Sequence, residues 1–176
     1  MSVMTATRPL PATTAPATLE QVADAHLDDV FGYLLYLTRH RETAEDLTGA
    51  TFEKAVRSWR RFDPARGSAR TWLLGIARST ALDHFRAEKR RRRREEATAL
   101  PDRVEEAFAE GLSPALQEGL ASLSAADREI VALRVVLELD GPATARVLGI
   151  SPTAVSTRLS RALARLEEKV TSDDLS

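Results

Sequence analysis

From Leu19 onward, apolar positions recur along the chain at the three- and four-residue spacing of amphipathic helices. Glycine and proline interrupt this pattern at 63–67, 111–114, 141–142 and 149–152, where we expect turns. The pattern predicts helices over 19–38, 41–61, 68–94, 114–121, 125–138, 143–148 and 152–170. The run IVALRVVL at 130–137 favours strand by composition, but it lies inside a helical period. The predicted fold class is therefore all-α.

Two polar segments divide this helical pattern. Residues 1–18 are rich in alanine, threonine and proline, which is typical of a disordered tail. Residues 95–112 are polar and acidic and are predicted to form a flexible linker. The chain is thus expected to fold as two small helical domains, over 19–94 and 113–171.

Charge is strongly segregated, although the 176 residues carry a net charge of only −1. Residues 86–94 hold seven positive charges and one negative, and residues 141–170 hold five positive and two negative. Between these blocks, residues 95–129 hold nine acids and two bases. Two basic blocks separated by an acidic stretch indicate two surfaces for a polyanion.

Composition excludes several classes of site. The absence of cysteine excludes a disulfide framework, a thiolate metal site and a cysteine nucleophile. His26, His40 and His84 are too far apart to suggest a zinc site, and no plausible catalytic constellation is evident. No apolar stretch is long enough to span a membrane, and the N-terminus does not resemble a secretory signal. We therefore predict a cytoplasmic protein that is not an enzyme and needs no cofactor or metal.

The segment 140–170 has the pattern of a helix-turn-helix. Pro142 and Pro152 each stand at a helix start, where proline sacrifices no intrahelical hydrogen bond. Ser151 is a natural N-cap for the second helix, and Gly149 supplies the turn between the two. This arrangement favours DNA binding over an ordinary amphipathic helix pair.

The second helix of this motif separates into two faces. Its apolar stripe consists of Val155, Leu159, Ala162, Leu163, Leu166 and Val170. The remaining positions mix small hydroxyl side chains with arginines, a combination that suits base edges and phosphates in a major groove. The predicted DNA-binding residues are Thr153, Ser156, Thr157, Arg158, Ser160, Arg161 and Arg165. A merely solvated polar face is the alternative.

In the helix predicted at 41–61, Asp46, Gly49 and Glu53 share one side. The two carboxylates are seven residues apart, so they project in the same direction after two turns. This face is either simply solvated or a docking surface for a basic partner helix.

The helix predicted at 68–94 is apolar on two sides. Leu74, Leu82 and Phe85 point away from its main apolar face, so this helix is either central in its domain or presents these residues to a partner. We expect them to be exposed and available to a protein partner. The helix ends in the arginine cluster at 90–94, which favours nucleic-acid binding over a solvated tail.

Three segments, in order, resemble one family. They are AEDLTGATFEKAV at 44–56, FDPARGSARTWLLGIARSTALDHFRAEKRR at 62–91, and LSAADREIVALRVVLELDGPATARVLGISPTAVSTRLSRALARLEEKV at 123–170. Together they resemble regions 2 and 4 of the extracytoplasmic-function (ECF) sigma factors of bacterial RNA polymerase. The resemblance covers most of the chain, and three segments in the correct order make it specific.

The resemblance implies a promoter-specificity subunit. Region 2 would dock on the clamp helices of the largest polymerase subunit through Asp46, Gly49 and Glu53. Region 4 would read the −35 element through the polar face of the 152–170 helix and contact the flap of the second-largest subunit. The implied −10 contacts are Arg66, Arg70, Trp72, Arg78, Ser79, Asp83, Arg86, Lys89 and Arg90. The acidic linker would follow the RNA channel, and an anti-sigma factor is an expected partner.

Two other classes of function remain open. A free-standing helix-turn-helix regulator would bind its operator without polymerase, usually as a symmetric dimer. A helical adaptor or anti-regulator would bind protein alone, which the arginine cluster argues against. An α-helical enzyme is a more distant alternative. We expect no sensor domain fused after Ser176.

Overall fold

The computed structural model describes residues 18–95 and 114–173. Seven α-helices account for most of them, and these two ranges contain no strand. The helices are α1 (Leu19–Thr38), α2 (Arg41–Ser58), α3 (Ala69–Glu95), α4 (Pro114–Ser122), α5 (Ala125–Val131), α6 (Gly141–Leu148) and α7 (Pro152–Asp173). A short 3₁₀ turn, Trp59–Arg61, follows α2, and a π-helical segment, Ala132–Val136, extends α5. The all-α prediction is confirmed, including for the β-leaning run.

Parts of the predicted organisation lie outside the described residues. These parts are the tail at 1–17 and most of the acidic linker, at 96–112. Thr18, counted with the tail in the prediction, is the N-cap of α1 and forms a capping box with Gln21. No helix in the described part of the chain is both long enough and apolar enough to cross a membrane.

The turn between α6 and α7 is built as the sequence suggests. The Asp140 carboxylate accepts a hydrogen bond from the Ala143 amide at 2.6 Å and so caps the start of α6. Gly149 ends α6 in the left-handed conformation, with φ +67° and ψ +34°. The Ser151 hydroxyl then accepts from the Ala154 amide at 3.1 Å, which caps the start of α7.

Alanine at Gly149 should destabilise the protein by about 1 kcal/mol, because a β-carbon disfavours left-handed backbone. A β-carbon there would meet no atom within 4 Å, so backbone conformation alone determines the effect. The matched control is Gly32→Ala inside α1, where a β-carbon also meets open space. This control should stabilise by roughly 0.5–1 kcal/mol. Urea unfolding of both variants measures the change in the free energy of unfolding. Changes of the same sign in the two variants would contradict the prediction.

Helices α1, α2 and α3 form the N-terminal unit. Their core is built from short and branched apolar side chains that are fully excluded from solvent, among them Val30, Leu34, Ala55, Leu73 and Ala77. This burial follows the helical spacing that the sequence predicts.

Helices α4 to α7 form the C-terminal unit. Leu123, Val131, Ala162 and Leu166 pack into a small core among α4, α5 and α7. Helix α6 packs against α7 on one side, and on the other it packs against α3 of the N-terminal unit.

The two units share one continuous apolar core, which the sequence did not predict. Ile130, Leu133 and Val147 of the C-terminal unit belong to the same buried cluster as Leu34 and Leu73. The two units are therefore in direct contact in this structure.

This contact corrects the prediction for the second apolar side of α3. The expected exposure of Leu74 is wrong: this side chain is fully buried and belongs to the apolar cluster that the two units share. Leu82 is half-buried, and Phe85 remains 37% exposed near the end of the helix. A helix that is apolar on two sides is either central or presents one side to a partner. The burial of Leu74 shows that α3 is central at this position.

Candidate nucleic-acid interface

The polar face of α7 is built on a buried stripe. Val155, Ala162 and Leu166 are buried and fix the rotation of the helix about its axis. Leu163, predicted to belong to this stripe, is instead 42% exposed. Every predicted DNA-binding residue of the helix is exposed: Thr153, Ser156, Thr157, Arg158, Ser160, Arg161 and Arg165. The face is thus a continuous hydroxyl and guanidinium surface, with Arg165 Nη1 3.5 Å from an oxygen of Asp127.

A second exposed face lies on α2. Asp46, Gly49 and Glu53 are all exposed, and Glu53 accepts from Arg57 at 3.3 Å one turn later. Val56 is 64% exposed, and its helical position places it on the same side. Val56 is absent from the predicted face, although its spacing from Gly49 and Glu53 is a signal that could have identified it. This face therefore carries one exposed apolar side chain beside its two carboxylates.

A cavity of about 660 Å³ opens between the end of α2, the following loop and α3. Its cationic lining residues are Lys54, Arg57, Arg61, Arg66 and Arg146. Phe62 and Trp72 form its aromatic side, with ring centroids 5.3 Å apart. Trp59 stacks on Phe62 with ring centroids 5.1 Å apart, so a third aromatic ring supports this wall. Cations around an aromatic wall suit an unpaired nucleotide.

Only part of the predicted −10 set meets at this cavity. Arg66, Trp72 and Ser79 line it. Asp83, Arg86, Lys89 and Arg90 are exposed further along α3, and Asp83 lies 3.5 Å from both Lys54 and Arg86. Among the cationic lining residues, the predicted −10 set lacks Lys54, Arg57, Arg61 and Arg146. The basic and aromatic run WRRF at 59–62 was the available signal for Arg61.

Two predicted −10 arginines are engaged by carboxylates. Arg70 donates to both oxygens of Asp29 on α1, at 2.7 and 3.0 Å. Arg78 donates to Glu129 on α5, at 2.8 and 3.4 Å. Both arginines are half-buried, so neither guanidinium is fully available at the surface.

The Asp29 pair makes a specific prediction about pH. The Arg70 hydrogen bonds hold the pKa of the Asp29 carboxyl below its ordinary value of 3.8. A carboxyl with a lower pKa in the folded chain stabilises the fold above 3.8, and this contribution disappears as pH falls further. Asp29→Asn should therefore flatten the pH dependence of the free energy of unfolding below pH 4. Urea titrations from pH 3 to pH 6 check this, and an unchanged slope would contradict it.

The matches to known families agree with this geometry. Residues 22–91 match the family model for Sigma-70 region 2, and residues 113–166 match the model for Sigma-70 region 4. The chain is 34% identical over 161 residues to the ECF RNA polymerase sigma factor SigC of Mycobacterium tuberculosis. That match covers 89% of this chain and 85% of SigC.

Two further similarities extend the comparison. The chain is also 34% identical to the ECF RNA polymerase sigma factor BldN of Streptomyces coelicolor. That match covers 81% of this chain and 58% of BldN. The fold is similar to that of the sigma factor RpoE from Bartonella quintana, solved in complex with the anti-sigma factor NepR, with a TM-score of 0.74. That similarity covers 88% of this chain and 97% of RpoE, at 23% identity.

Proposed function

Because the chain belongs to the ECF family of RNA polymerase sigma factors, we propose that it binds core RNA polymerase and directs initiation at specific promoters. One observation carries the proposal: a single chain presents an exposed hydroxyl and arginine face on α7, a cationic aromatic cavity beside α3 and a separate exposed acidic face on α2. A free-standing regulator would need only the first of these surfaces. The chain then acts by binding alone, without chemistry of its own, in the cytoplasm where polymerase works.

Docking on polymerase is assigned to the exposed face of α2. Asp46 and Glu53 would meet cationic side chains of the clamp helices of the largest subunit, and Val56 would add apolar contact. Gly49 leaves a gap between the carboxylates, which permits close approach of a partner helix. The C-terminal unit would contact the flap of the second-largest subunit.

The −10 element is assigned to the cavity beside α3. A base that leaves the duplex could stack against Phe62 or Trp72 while its phosphates meet Arg61 and Arg66. The exposed cations further along α3, Arg86, Lys89 and Arg90, would hold the adjoining backbone.

The −35 element is assigned to α7. Its polar face begins at the capped N-terminus of the helix, where backbone amides and a positive dipole favour phosphate. The three exposed arginines of this face, Arg158, Arg161 and Arg165, supply the side-chain cations. Each domain alone would bind DNA weakly, and polymerase would make binding cooperative by holding both on one promoter.

Promoter melting tests this proposal. Core polymerase with and without the chain is mixed with host promoter fragments, and permanganate detects unpaired thymines near the start site. We expect permanganate-reactive thymines only when both proteins are present. Binding by the chain alone, with no melting when polymerase is added, would indicate the free-standing regulator instead.

An anti-sigma factor is the expected regulator. The solved structure of the similar fold holds such a partner, and the exposed docking face of α2 is a surface that an inhibitor can cover. Purified partner should displace the chain from core polymerase. If a pull-down from the host recovers no partner, and the chain is constitutively active there, this part of the proposal is wrong.

A further inference from the structure

The cavity beside α3 holds more positive charge than one unpaired base of a DNA strand can balance. Five cationic side chains line it, against a single carboxylate, Asp63. An oxygen of Asp63 also accepts a hydrogen bond from the Ala65 amide at 2.9 Å, so this carboxylate is engaged in the turn of the loop. A DNA strand has one phosphate for each nucleotide, so a base in the cavity brings only the two phosphates that flank it. The excess of cations indicates a ligand that concentrates negative charge.

Three of these cations are exposed arginines that form no ion pair with any residue that the structure describes: Arg61, Arg66 and Arg146. Arg146 Nη1 lies 3.2 Å from the point where a β-carbon on Gly67 would stand, so this guanidinium lies against the loop that carries Arg66. A guanidinium binds phosphate oxygens through two parallel N–H donors. These three arginines are therefore available to bind phosphate groups.

The other two cations of the cavity form ion pairs that a phosphate can replace. Lys54 Nζ lies 3.5 Å from an oxygen of Asp83, and Arg57 Nη2 lies 3.3 Å from an oxygen of Glu53. At least 43% of each of these four side chains is exposed, and exposed ion pairs contribute little free energy. The cavity can therefore present as many as five cations to one polyanion.

The cavity also has the space and the aromatic surface that a nucleotide needs. Its volume of about 660 Å³ lies within the range of roughly 300–1,000 Å³ that is typical of small-molecule sites. Phe62 and Trp72 form one wall, and the Trp59 ring packs against both, with centroids 5.1 and 5.7 Å away. Aromatic rings of this kind stack with any base, because every base has a π face. The exposed Ser79 also lines the cavity, and its hydroxyl can donate to a sugar.

From these observations we propose that the cavity beside α3 binds a free nucleoside polyphosphate, with three or more phosphates, in competition with −10 DNA. The base would stack on Phe62 or Trp72. The phosphates would contact Arg61, Arg66 and Arg146. The competition rests on the proposed function, which assigns the same wall to the −10 element, whereas nucleotide binding can be measured without polymerase or DNA. A chain that holds the nucleotide would bind promoter DNA less tightly, so nucleotide concentration would regulate initiation.

The first experiment measures nucleotide binding through tryptophan fluorescence. Trp59 and Trp72 are the only tryptophans of the chain, and both belong to the aromatic wall. The full chain is titrated with ATP at constant ionic strength, with excitation beyond the absorption of adenine. We expect saturable quenching with a Kd below about 1 mM. By calorimetry, AMP and inorganic tripolyphosphate, each of which lacks part of the proposed recognition, should bind at least about tenfold more weakly than ATP.

Neighbouring arginines in the turn after α2 provide a matched pair of variants. Arg61 lines the cavity, whereas Arg60 is exposed and does not line it. Arg61→Ala should weaken ATP binding at least about tenfold, because a hydrogen bond between charged groups is lost. Arg60→Ala removes the same charge and should change the affinity less than about twofold. Phe62→Leu removes a stacking surface, so it should weaken ATP binding at least about fivefold and leave tripolyphosphate binding unchanged.

The second experiment measures competition between the nucleotide and DNA. The probe is a fluorescently labelled single strand that carries the −10 element of a mapped promoter, and anisotropy reports its binding to the full chain. ATP should displace this strand at concentrations near the Kd measured by fluorescence. AMP at the same concentration and ionic strength should leave the strand bound. This comparison separates competition for the cavity from a general effect of salt on DNA binding.

The outcomes distinguish the inference from the proposed function. ATP binding that Arg61→Ala and Phe62→Leu weaken, together with displacement of the strand, supports the inference. Absence of ATP binding overturns the inference, while the proposed function stands if the strand still binds. AMP or tripolyphosphate that binds as tightly as ATP also overturns it, and so does ATP that binds without displacing the strand. A chain that binds ATP but not the strand contradicts the proposed function and, with it, the competition. Circular dichroism melting establishes that each variant is folded.

Discussion

Replacing both docking carboxylates with lysine, in the variant D46K/E53K, should reduce transcription by this chain and core polymerase at least about thirtyfold. Removing close charge pairs from a protein interface costs about 2 kcal/mol or more, and reversal adds repulsion. Run-off transcription at limiting concentration measures the effect. Both side chains are exposed, so the melting temperature should barely change.

The matched control for this charge reversal is Asp24→Lys, at an exposed position of α1 outside the docking face. It should retain nearly wild-type transcription. High concentrations of the double variant should partly restore activity, because the defect lies in binding polymerase and not in reading DNA. A double variant as active as the control at limiting concentration would contradict the assignment of this face.

Removing two arginines from the recognition helix, in R158A/R161A, should weaken holoenzyme activity roughly thirtyfold on a promoter with both elements. Each arginine that binds a base or phosphate contributes about 1–3 kcal/mol. The slope of log binding constant against log salt concentration should also become shallower. The change is up to about 0.9 for each phosphate that is no longer neutralised. Salt-dependent binding of holoenzyme to duplex promoter fragments measures both effects.

Lys169→Ala is the control on the same helix. Lys169 is exposed but lies 3.4 Å from Glu118, within the C-terminal unit and outside the predicted DNA face. It should leave promoter binding close to wild type. If R158A/R161A bound as tightly as this control, α7 would not be the recognition helix.

Helix positions were predictable because the chain marks them locally. Proline, glycine and serine at 141–142 and 149–152 determine where α6 begins and ends and where α7 begins, within a few residues of the prediction. The exposed face of α7 followed from the same periodicity, because Val155 and Ala162 had to be buried. Likewise, spacing alone placed Asp46 and Glu53 together on α2.

Contact between the units was not predictable from such local signals. Glu129 belongs to the acidic stretch at 95–129 and to the helix predicted at 125–138, and neither signal indicates burial, yet it is buried between Tyr33 and Arg78. No periodicity links residues 51 or 96 positions apart, so this pairing emerges only from tertiary packing. The prediction for Leu74 is wrong for the same reason, because the buried cluster to which it belongs includes residues of the other unit.

The cavity beside α3 was predictable only in part. Arg66 and Trp72 were predicted from the resemblance, whereas Lys54 and Arg61 reach the same space from the end of α2 and the turn after it. The fold of the loop at 62–68 decides which of these side chains converge. Sequence spacing carries no information about that convergence.

Run-off transcription tests the central claim most directly. Core RNA polymerase is incubated with host promoter fragments, with and without the chain, and transcript ends are mapped. We expect discrete transcripts that depend on the chain, with a −10 and a −35 element upstream of each start, and their disappearance with D46K/E53K. No chain-dependent transcript across the host promoter set, together with salt-sensitive binding of DNA by the chain alone, would contradict the claim that the chain is a promoter-specificity subunit.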